Sequence, residues 1–390
     1  MLSGFMSYST VLNEHAGEQI GSLRELYDGK LDPQIQINTY RNIDRLFPIR
    51  IVNKGSSTTK LAPKARQFEY FEYSENDKVH DFYDYLAVGR VSGLLVLHEG
   101  EVAYERYLLG NNERTRWMSM SVVKSITAIL IGVAIQDGQI KHIDDPIVDY
   151  LPEFKGSAYD GVTVRQILQM SSGVSWNETY TDPSSDRRAM LEAQILQQPG
   201  AVLSLMKELP RVAEPGSKWN YSTGETHVAG ALVRAATGMP VADYLSEKIW
   251  QPMGMEADAT WWLESSKGLE VGGSGLSATL RDYARFGMFM LQDGVINGTR
   301  VLPKGWMADA ARPQQFGEKT APYGYMLWTM PDDAFAAVGI FGQWIYVNPK
   351  RNIVIAMWSA QSKPVERFGP SEEAFISNLA SAVDKFYKDE

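Results

Sequence analysis

The sequence predicts an α/β (α+β) fold: an antiparallel sheet assembled from both chain ends and flanked by helices, with a mostly helical region between. Three observations carry this reading. Two β runs joined by a turn stand at 91–110, helical periodicities dominate about 140–265, and two strands followed by a helix close the chain. Residues 81–118 and 270–390 then make an α/β domain, 119–269 a mostly helical region, and 1–80 an N-terminal extension.

Taken in order, the extension is polar and weakly periodic, with a turn signal at "NKGSSTTK". "VSGLLVLHEGEVAYERYLLG" reads as a hairpin turning at Glu99-Gly100. A helix follows over about 119–137 and stops at Gly138, where a C-terminal glycine belongs. "VTVRQILQM", "AQILQQPGAVLSLMKEL" and "THVAGALVRAATG" space their apolar residues three or four apart. "LSATLRDYARFGMFMLQDG" is a further amphipathic helix, ending at Gly294, whose Asp282 and Arg285 are expected on its outer face. "AFAAVGIFGQWIYVN" and "NIVIAMWSA" read as two strands joined at 349–352, and "SEEAFISNLASAVDKFYKDE" as the last helix.

Composition narrows the function. A 44% hydrophobic fraction suits a globular core, and the net charge of −9 with no block of basic residues argues against a nucleic-acid partner. Cysteine is absent, which removes disulfides, thiolate metal sites and a cysteine nucleophile. "MLSGFMSYSTVLNEHAGEQI" has no basic n-region and no apolar core of an export signal, and the longest apolar stretch, Ile126 to Ile135, is about half a bilayer span. The expectation is a cytoplasmic protein with no membrane segment.

The chemistry centres on "WMSMSVVKSITAILIGVAIQDG", where Ser121 stands three places before Lys124 at the mouth of an apolar helix. Positions i and i+3 share a helix face, so the hydroxyl and the amine can meet. Ser121 at the first turn also feels the positive end of the helix dipole, which favours a developing alkoxide. Burial of Lys124 among Val122, Val123, Ile126 and Ala128 would disfavour its ammonium form, the shift a lysine base needs. The same spacing occurs at Ser57…Lys60, in a polar turn, and at Ser204…Lys207, on a helix with a charged flank. Spacing alone therefore leaves a nucleophile and an ordinary core-helix serine both open.

Acyl transfer needs a further proton-handling group and oxyanion donors. His15, His80, His98, His142 and His227 sit in no Ser-His-Asp context, no G-x-S-x-G elbow exists, and no metal-ligand spacing such as H-E-x-x-H occurs. Tyr221, in "EPGSKWNYSTGETHVAGALV", is a better candidate, because a loop tyrosine beside an ammonium gives up its proton more easily. As one of 19 tyrosines, it can equally be a packing residue of that loop.

These residues taken together resemble the serine β-lactamase-fold hydrolases, in the branch of class C β-lactamases, family VIII carboxylesterases and 6-aminohexanoate-dimer (nylon-oligomer) hydrolases. The resemblance runs in order over about 90–385: "SVVK" is similar to the S-x-x-K box and "YST" to the Y-x-N box. "GGSGLSATLRDYARFGMFML" resembles the glycine-led segment before a helix, and "AVGIFGQWIYVNP" the K-T-G or H-G-G strand. "MSMSVVKS", "DYLPEFKGSAYDGVTVRQILQM", "SWNETYTDPSSD" and "GIFGQWIYVNP" look most like the dimer hydrolases.

The resemblance implies a cofactor-free hydrolase working through an acyl-enzyme. Ser121 would be the nucleophile, Lys124 its base or charge partner, and Tyr221 the general base and acid. The backbone N–H groups of Ser121 and Ile340 would form the oxyanion hole, with Gly339 leaving room for the acyl carbon. Tyr180 matches a loop tyrosine that closes on substrate in the nylon-oligomer hydrolases; Trp176, Trp344 and Tyr325 are candidate aromatic walls. Glu178 or Asp182 could receive a substrate amine, although a solvated surface carboxylate is the simpler role for either.

The departures bear on substrate. Ala337 stands where β-lactamases carry the K-T-G lysine, and Thr223 where the Y-x-N asparagine stands, and no E-x-x-L-N segment is present. These favour a short ester or small linear amide as the small-molecule partner, with a homodimer as a possible assembly. A β-lactamase or D-alanyl-D-alanine carboxypeptidase, and a non-catalytic binding protein of the same fold, are the alternatives.

Overall fold

The computed structural model describes residues 13–365 and 369–389, so most of the stretch read above for an export signal lies outside the described residues. The strands of its two larger sheets are β1 (Ile49–Val52), β2 (Val91–His98), β3 (Glu101–Tyr107), β4 (Trp117–Met118), β5 (Ala259–Trp262), β6 (Leu276–Ala278), β7 (Trp328–Thr329), β8 (Phe335–Gly339), β9 (Gln343–Asn348) and β10 (Ile353–Ser359). The helices that matter to the site are α1 (Val122–Gln136), α2 (Asp186–Ile195), α3 (Thr223–Thr237), α4 (Leu280–Leu291) and α5 (Glu372–Lys388).

Tight turns build the main sheet from local sequence. His98 pairs with Glu101 across Glu99 and Gly100, both at positive φ, the primed two-residue turn whose twist matches its strands. Asn348 pairs with Ile353 across a turn that ends at Asn352, also left-handed. β10 then docks antiparallel on β2, which closes the order β7-β8-β9-β10-β2-β3 from the two ends of the chain.

Both faces of this sheet are covered, so β2 and β10 are buried at every position and show no alternation. Leu95, Leu97, Ala337 and Ile345 face the helical side. Leu94, Val96, Trp344 and Tyr346 face α5 through Phe375, Ile376 and Leu379. α4 lies close on the sheet because Gly287 permits it: a Cβ there would meet Val354 at 2.4 Å.

The second sheet has the order β1-β5-β6-β4 and ties the N-terminal segment to the rest, with Ile49 paired to Trp262 and Trp117 to Ala278. Among the described residues no helix is long and apolar enough to cross a membrane.

Two sequence expectations are corrected here. "AFAAVGIFGQWIYVN" is two strands, because the chain reverses at 340–342 with Phe341 and Gly342 at positive φ, and Gly339 pairs with Gln343. An unbroken apolar run hid that turn. Asp282 and Arg285 are interior, not on an outer face. The Asp282 carboxylate accepts from the amides of Glu256 (2.8 Å) and Ala257 (3.0 Å) and from the Thr279 hydroxyl (3.0 Å). It also accepts from Arg285 (2.9 Å), which reaches on to the Thr59 carbonyl. Burial pushes the carboxyl up to about 6 against the pull of Arg285. The i, i+3 charge pair reads as solvated in sequence, yet here it staples two loops to α4.

Removing Asp282 leaves two amides without their acceptor and a buried guanidinium with only the partly exposed Glu256 as its counter-ion, so Asp282→Ala is expected to cost about 3 kcal/mol. A urea denaturation midpoint left in place by the substitution would contradict that role.

Candidate active site

The turn from β4 into α1 presents Ser121. Met120 takes φ +47°, a costly conformation for a residue with a side chain, and turns the chain so that Ser121 caps α1 in right-handed geometry. Ser119 anchors the turn, its amide donating to the Leu276 carbonyl on β6 at 2.7 Å.

Lys124 lies in the first turn of α1 and is 1% exposed. Its Nζ lies 2.8 Å from Ser121 Oγ and 2.9 Å from the Gly273 carbonyl oxygen. Burial drives its pKa down to about 7, with Glu178 opposing that fall and Arg187 adding to it. Protonated, the amine donates to both oxygens; unprotonated, it can donate to Gly273 and offer its lone pair to the Ser121 hydroxyl. The glycines of "GGSG" make this approach possible. A Cβ on Gly273 would meet Thr223 Cγ2 at 2.7 Å, and one on Gly272 the Thr226 carbonyl oxygen at 2.5 Å. The segment runs in the seam between α1 and α3, where the Gly272 carbonyl also accepts from Thr127 (2.9 Å).

Tyr221 directly precedes Ser222, the residue that caps α3 by accepting from the Glu225 amide at 3.1 Å. Its ring lies 5.2 Å from Lys124 Nζ and stacks on Trp328 at 5.9 Å. Tyr323 and Trp219 complete the aromatic cluster. The phenol is raised above the ordinary tyrosine value by burial first and Glu178 second, while hydrogen bonding to Ser121 favours its ionised form. Burial thus outweighs the groups that favour phenolate, Ser121 by its hydrogen bond and Arg187 by its charge, so the phenol is not the more acidic group expected from the sequence.

β8 brings the last element. Gly339 sits so close to the turn at 119–121 that a Cβ would meet the Ser119 carbonyl at 2.7 Å, Met120 Cβ at 2.9 Å and the Ser121 amide nitrogen at 3.0 Å. Ser121, Tyr221, Tyr180, Glu178, Gly339 and Ile340 all line one cavity of about 530 Å³, together with Trp328 and Val338.

The other predicted walls lie elsewhere. Trp344 is on the far face of the sheet, under α5, its indole N–H donating to Glu372 at 2.7 Å. Strand alternation put it there, since its neighbour Ile345 faces the helical side. Tyr325 is a core residue that accepts from Arg165 (2.6 Å) and packs on Trp306 (5.3 Å). Trp176 is 8% exposed and lies behind the cavity, donating to Glu178. Asp182 holds a turn, accepting from the amide (2.9 Å) and hydroxyl (2.7 Å) of Ser184.

Glu178 is half-buried and held by hydrogen bonds, where a free surface carboxylate was expected. It lines the cavity and accepts from the Thr223 amide at 2.9 Å, from the Thr223 hydroxyl and from Trp176. Trp328 went unremarked in the sequence; the aromatic density of "YGYMLW" was the available signal. Ser57 and Ser204 are exposed, whereas Ser121 is 7% exposed. Among the described residues no cluster of His, Cys, Asp or Glu could hold a metal ion.

The β-lactamase family model matches residues 85–375. The chain belongs to the β-lactamase family. It is accordingly a serine hydrolase, with the β-lactamase/DD-peptidase-like fold. It is 30% identical to a 6-aminohexanoate-dimer hydrolase of Paenarthrobacter ureafaciens over 365 residues, covering 88% of this chain and 91% of that one. Esterase EstB of Burkholderia gladioli is 31% identical over 187 residues, 43% of this chain and 46% of the esterase. A Bacillus anthracis structure assigned as a 6-aminohexanoate-dimer hydrolase superposes with a TM-score of 0.81 at 23% identity, over 92% of this chain and 96% of that one.

The tight seat of Gly339 against the Ser121 amide makes a test of the family geometry. Because a Cβ there would press on the Ser121 turn, Gly339→Ala should lower kcat/KM for a p-nitrophenyl ester by about 10²-fold or more. An alanine variant with parental activity would mean that β8 need not approach this closely.

Proposed function

We propose that Ser121 is the nucleophile, Lys124 the base for acylation and Tyr221 the acid that protonates the leaving group, acting on a short-chain ester or a small linear amide. The observation that carries this is Lys124: a buried amine bonded at once to the Ser121 hydroxyl and to a main-chain carbonyl. When neutral, such an amine has one lone pair to offer the serine proton.

In this reading Ser121 Oγ attacks the acyl carbon as its proton passes to Lys124. The oxyanion is received by the amides of Ser121 and Ile340, each such donor being worth about 2.7–4 kcal/mol in the transition state. Tyr221, kept protonated by burial, gives its proton to the leaving oxygen or nitrogen and recovers one from Lys124. Water then attacks the acyl-enzyme and gives its proton back along the same groups, releasing the acid and restoring Ser121.

The cavity supports the substrate class. Its named lining contains Glu178 as the charged side chain and otherwise apolar, aromatic and hydroxyl groups. Ala337, paired with Ile345 and 1% exposed, supplies no cation for a substrate carboxylate. That disfavours β-lactams and C-terminal peptides and suits neutral or cationic acyl groups. The 6-aminohexanoate dimer, named for one relative, is the linear amide to try first. Tyr180, Trp328 and Val338 are the proposed contacts for its chain.

Hydrolysis of p-nitrophenyl esters, the linear 6-aminohexanoate dimer and a chromogenic β-lactam should give turnover of the first or second and little of the third. Ser121→Ala should remove it by about 10⁴-fold or more, whereas Ser57→Ala and Ser204→Ala should leave it unchanged. Loss on Ser204→Ala in a folded protein would sink the assignment of the nucleophile, and failure of an active-site phosphonate to label the parent would favour a binding protein.

The pH dependence has a definite sign. The lysine base works when neutral, so kcat/KM should be full above about pH 7 and fall as the pH drops through that value. A profile flat down to pH 5 would exclude Lys124 as the base.

A further inference from the structure

Two rims of the cavity come from distant parts of the chain. Glu178, Thr179, Tyr180 and Thr181 belong to the loop before α2, and Val365, 57% exposed, to the segment after β10. Both rims are tied to one N-terminal stretch, Tyr27-Asp28-Gly29, which is not among the residues that line the cavity.

The stretch closes a short helix, Leu23–Tyr27, that begins at a capping box: Ser22 accepts from the Glu25 amide, and Glu25 reaches back to the Ser22 amide. Tyr27 is 1% exposed. Its ring packs on the Tyr180 ring with centroids 6.0 Å apart, and its hydroxyl accepts from Arg187 on α2. Asp28 accepts from Arg188 at 2.7 Å, and the same guanidinium donates to the Tyr180 carbonyl at 3.1 Å. Elsewhere the loop is held from within. The Ser185 hydroxyl donates to the Thr179 carbonyl (2.7 Å), and Asp186 accepts from the Asn177 amide (2.7 Å). At Tyr180 the ties run outward instead, to Tyr27 and through Arg188 to Asp28.

On the other rim, the Gly29 carbonyl accepts from Lys363, two residues before Val365, at 3.2 Å. Gly29 takes φ +62°, and a Cβ there would meet Lys363 Cδ at 2.7 Å and the Ser362 carbonyl oxygen at 3.1 Å, so the two segments are in contact. Gln36, itself buried, adds a bond of 2.7 Å to the Gln361 carbonyl. Arg188 is buried as well, so a chain without Asp28 has a guanidinium that must find solvent or another anion. The donor to the Tyr180 carbonyl would move with it.

We infer that Tyr27, Asp28 and Gly29 form a brace that sets both rims of the cavity and thereby the length of acyl chain the site accepts. They are positioning residues, acting through Tyr180 and Val365. An acetyl group stays beside Ser121, whereas a longer acyl chain packs against the rims. The inference rests on the proposed function, in which this cavity holds the acyl group that Ser121 receives.

The test compares KM and kcat/KM for p-nitrophenyl acetate and p-nitrophenyl hexanoate, whose shared leaving group cancels in the ratio. Asp28→Ala should lower the hexanoate-to-acetate ratio of kcat/KM by about tenfold, through a higher KM for hexanoate, with the acetate value within about twofold of the parent. Asp28→Glu, which keeps the charge, should recover most of that ratio. Lys363→Ala, at a half-buried side chain on the other rim, should lower the ratio in the same direction. A fall in either alanine variant with acetate spared supports the brace. Ratios unmoved in both, or the two esters falling together, would overturn it and leave the proposed function standing. If Asp28→Ala does not fold, Lys363→Ala decides on the same criterion. A parent that turns over neither ester, or whose turnover survives Ser121→Ala, would overturn the proposed function and this inference with it.

Discussion

The site depends on the desolvation of one amine. An ammonium taken out of water without an anionic partner costs several kcal/mol, and the usual relief is loss of the proton. Lys124 has a hydroxyl and a carbonyl as its bonded partners, so burial converts it towards a neutral amine near pH 7. Much of the surrounding structure serves to keep it dry. α1 is buried from Val122 through Ala134, and the glycines at 272 and 273 let a strand-like segment close over the amine where any side chain would collide.

Geometry around Ser121 comes from the sheets. The second sheet holds β4, and through it the turn that strains Met120 and exposes Ser121 at the head of α1. The main sheet delivers β8 from the other end of the chain, with Gly339 pressed against that turn. The helical region contributes the third side, where the cap of α3 fixes Tyr221 and the clamp by Thr223 fixes Glu178. Three parts of the chain thus converge on one hydroxyl: β4 through strand pairing, β8 through the close seat of Gly339, and the helical region through the side chains of Ser222 and Thr223.

The legible part of the site was the part written in local spacing. Ser121 and Lys124 are one helical turn apart, and an apolar run behind them already predicts burial. Tyr221 was readable from the loop that leads into a helix. The aromatic wall was harder. Trp344 and Trp328 look equivalent in sequence, yet alternation along β9 sends Trp344 beneath α5, while β7 at the sheet edge leaves Trp328 in the cavity. Asp282 and Glu178 were misread for a common reason: a carboxylate looks solvated until the amides that will bind it are known, and those amides come from distant segments.

By itself the sequence determined the hairpin of β2 and β3, the strand β10, the helices α1, α3, α4 and α5, two of the sheet's turns and the i, i+3 pairing of serine with lysine. Each of these is decided within a few residues by periodicity, glycine and turn chemistry. The tertiary structure alone decided the reversal at 340–342, the side of the sheet each aromatic occupies, and the protonation of the groups around Ser121. Protonation in particular is not a local property. The proton affinities of Lys124 and Tyr221 follow from how much water is excluded and which fixed charges lie nearby, and both are known only when segments far apart in the chain have packed together.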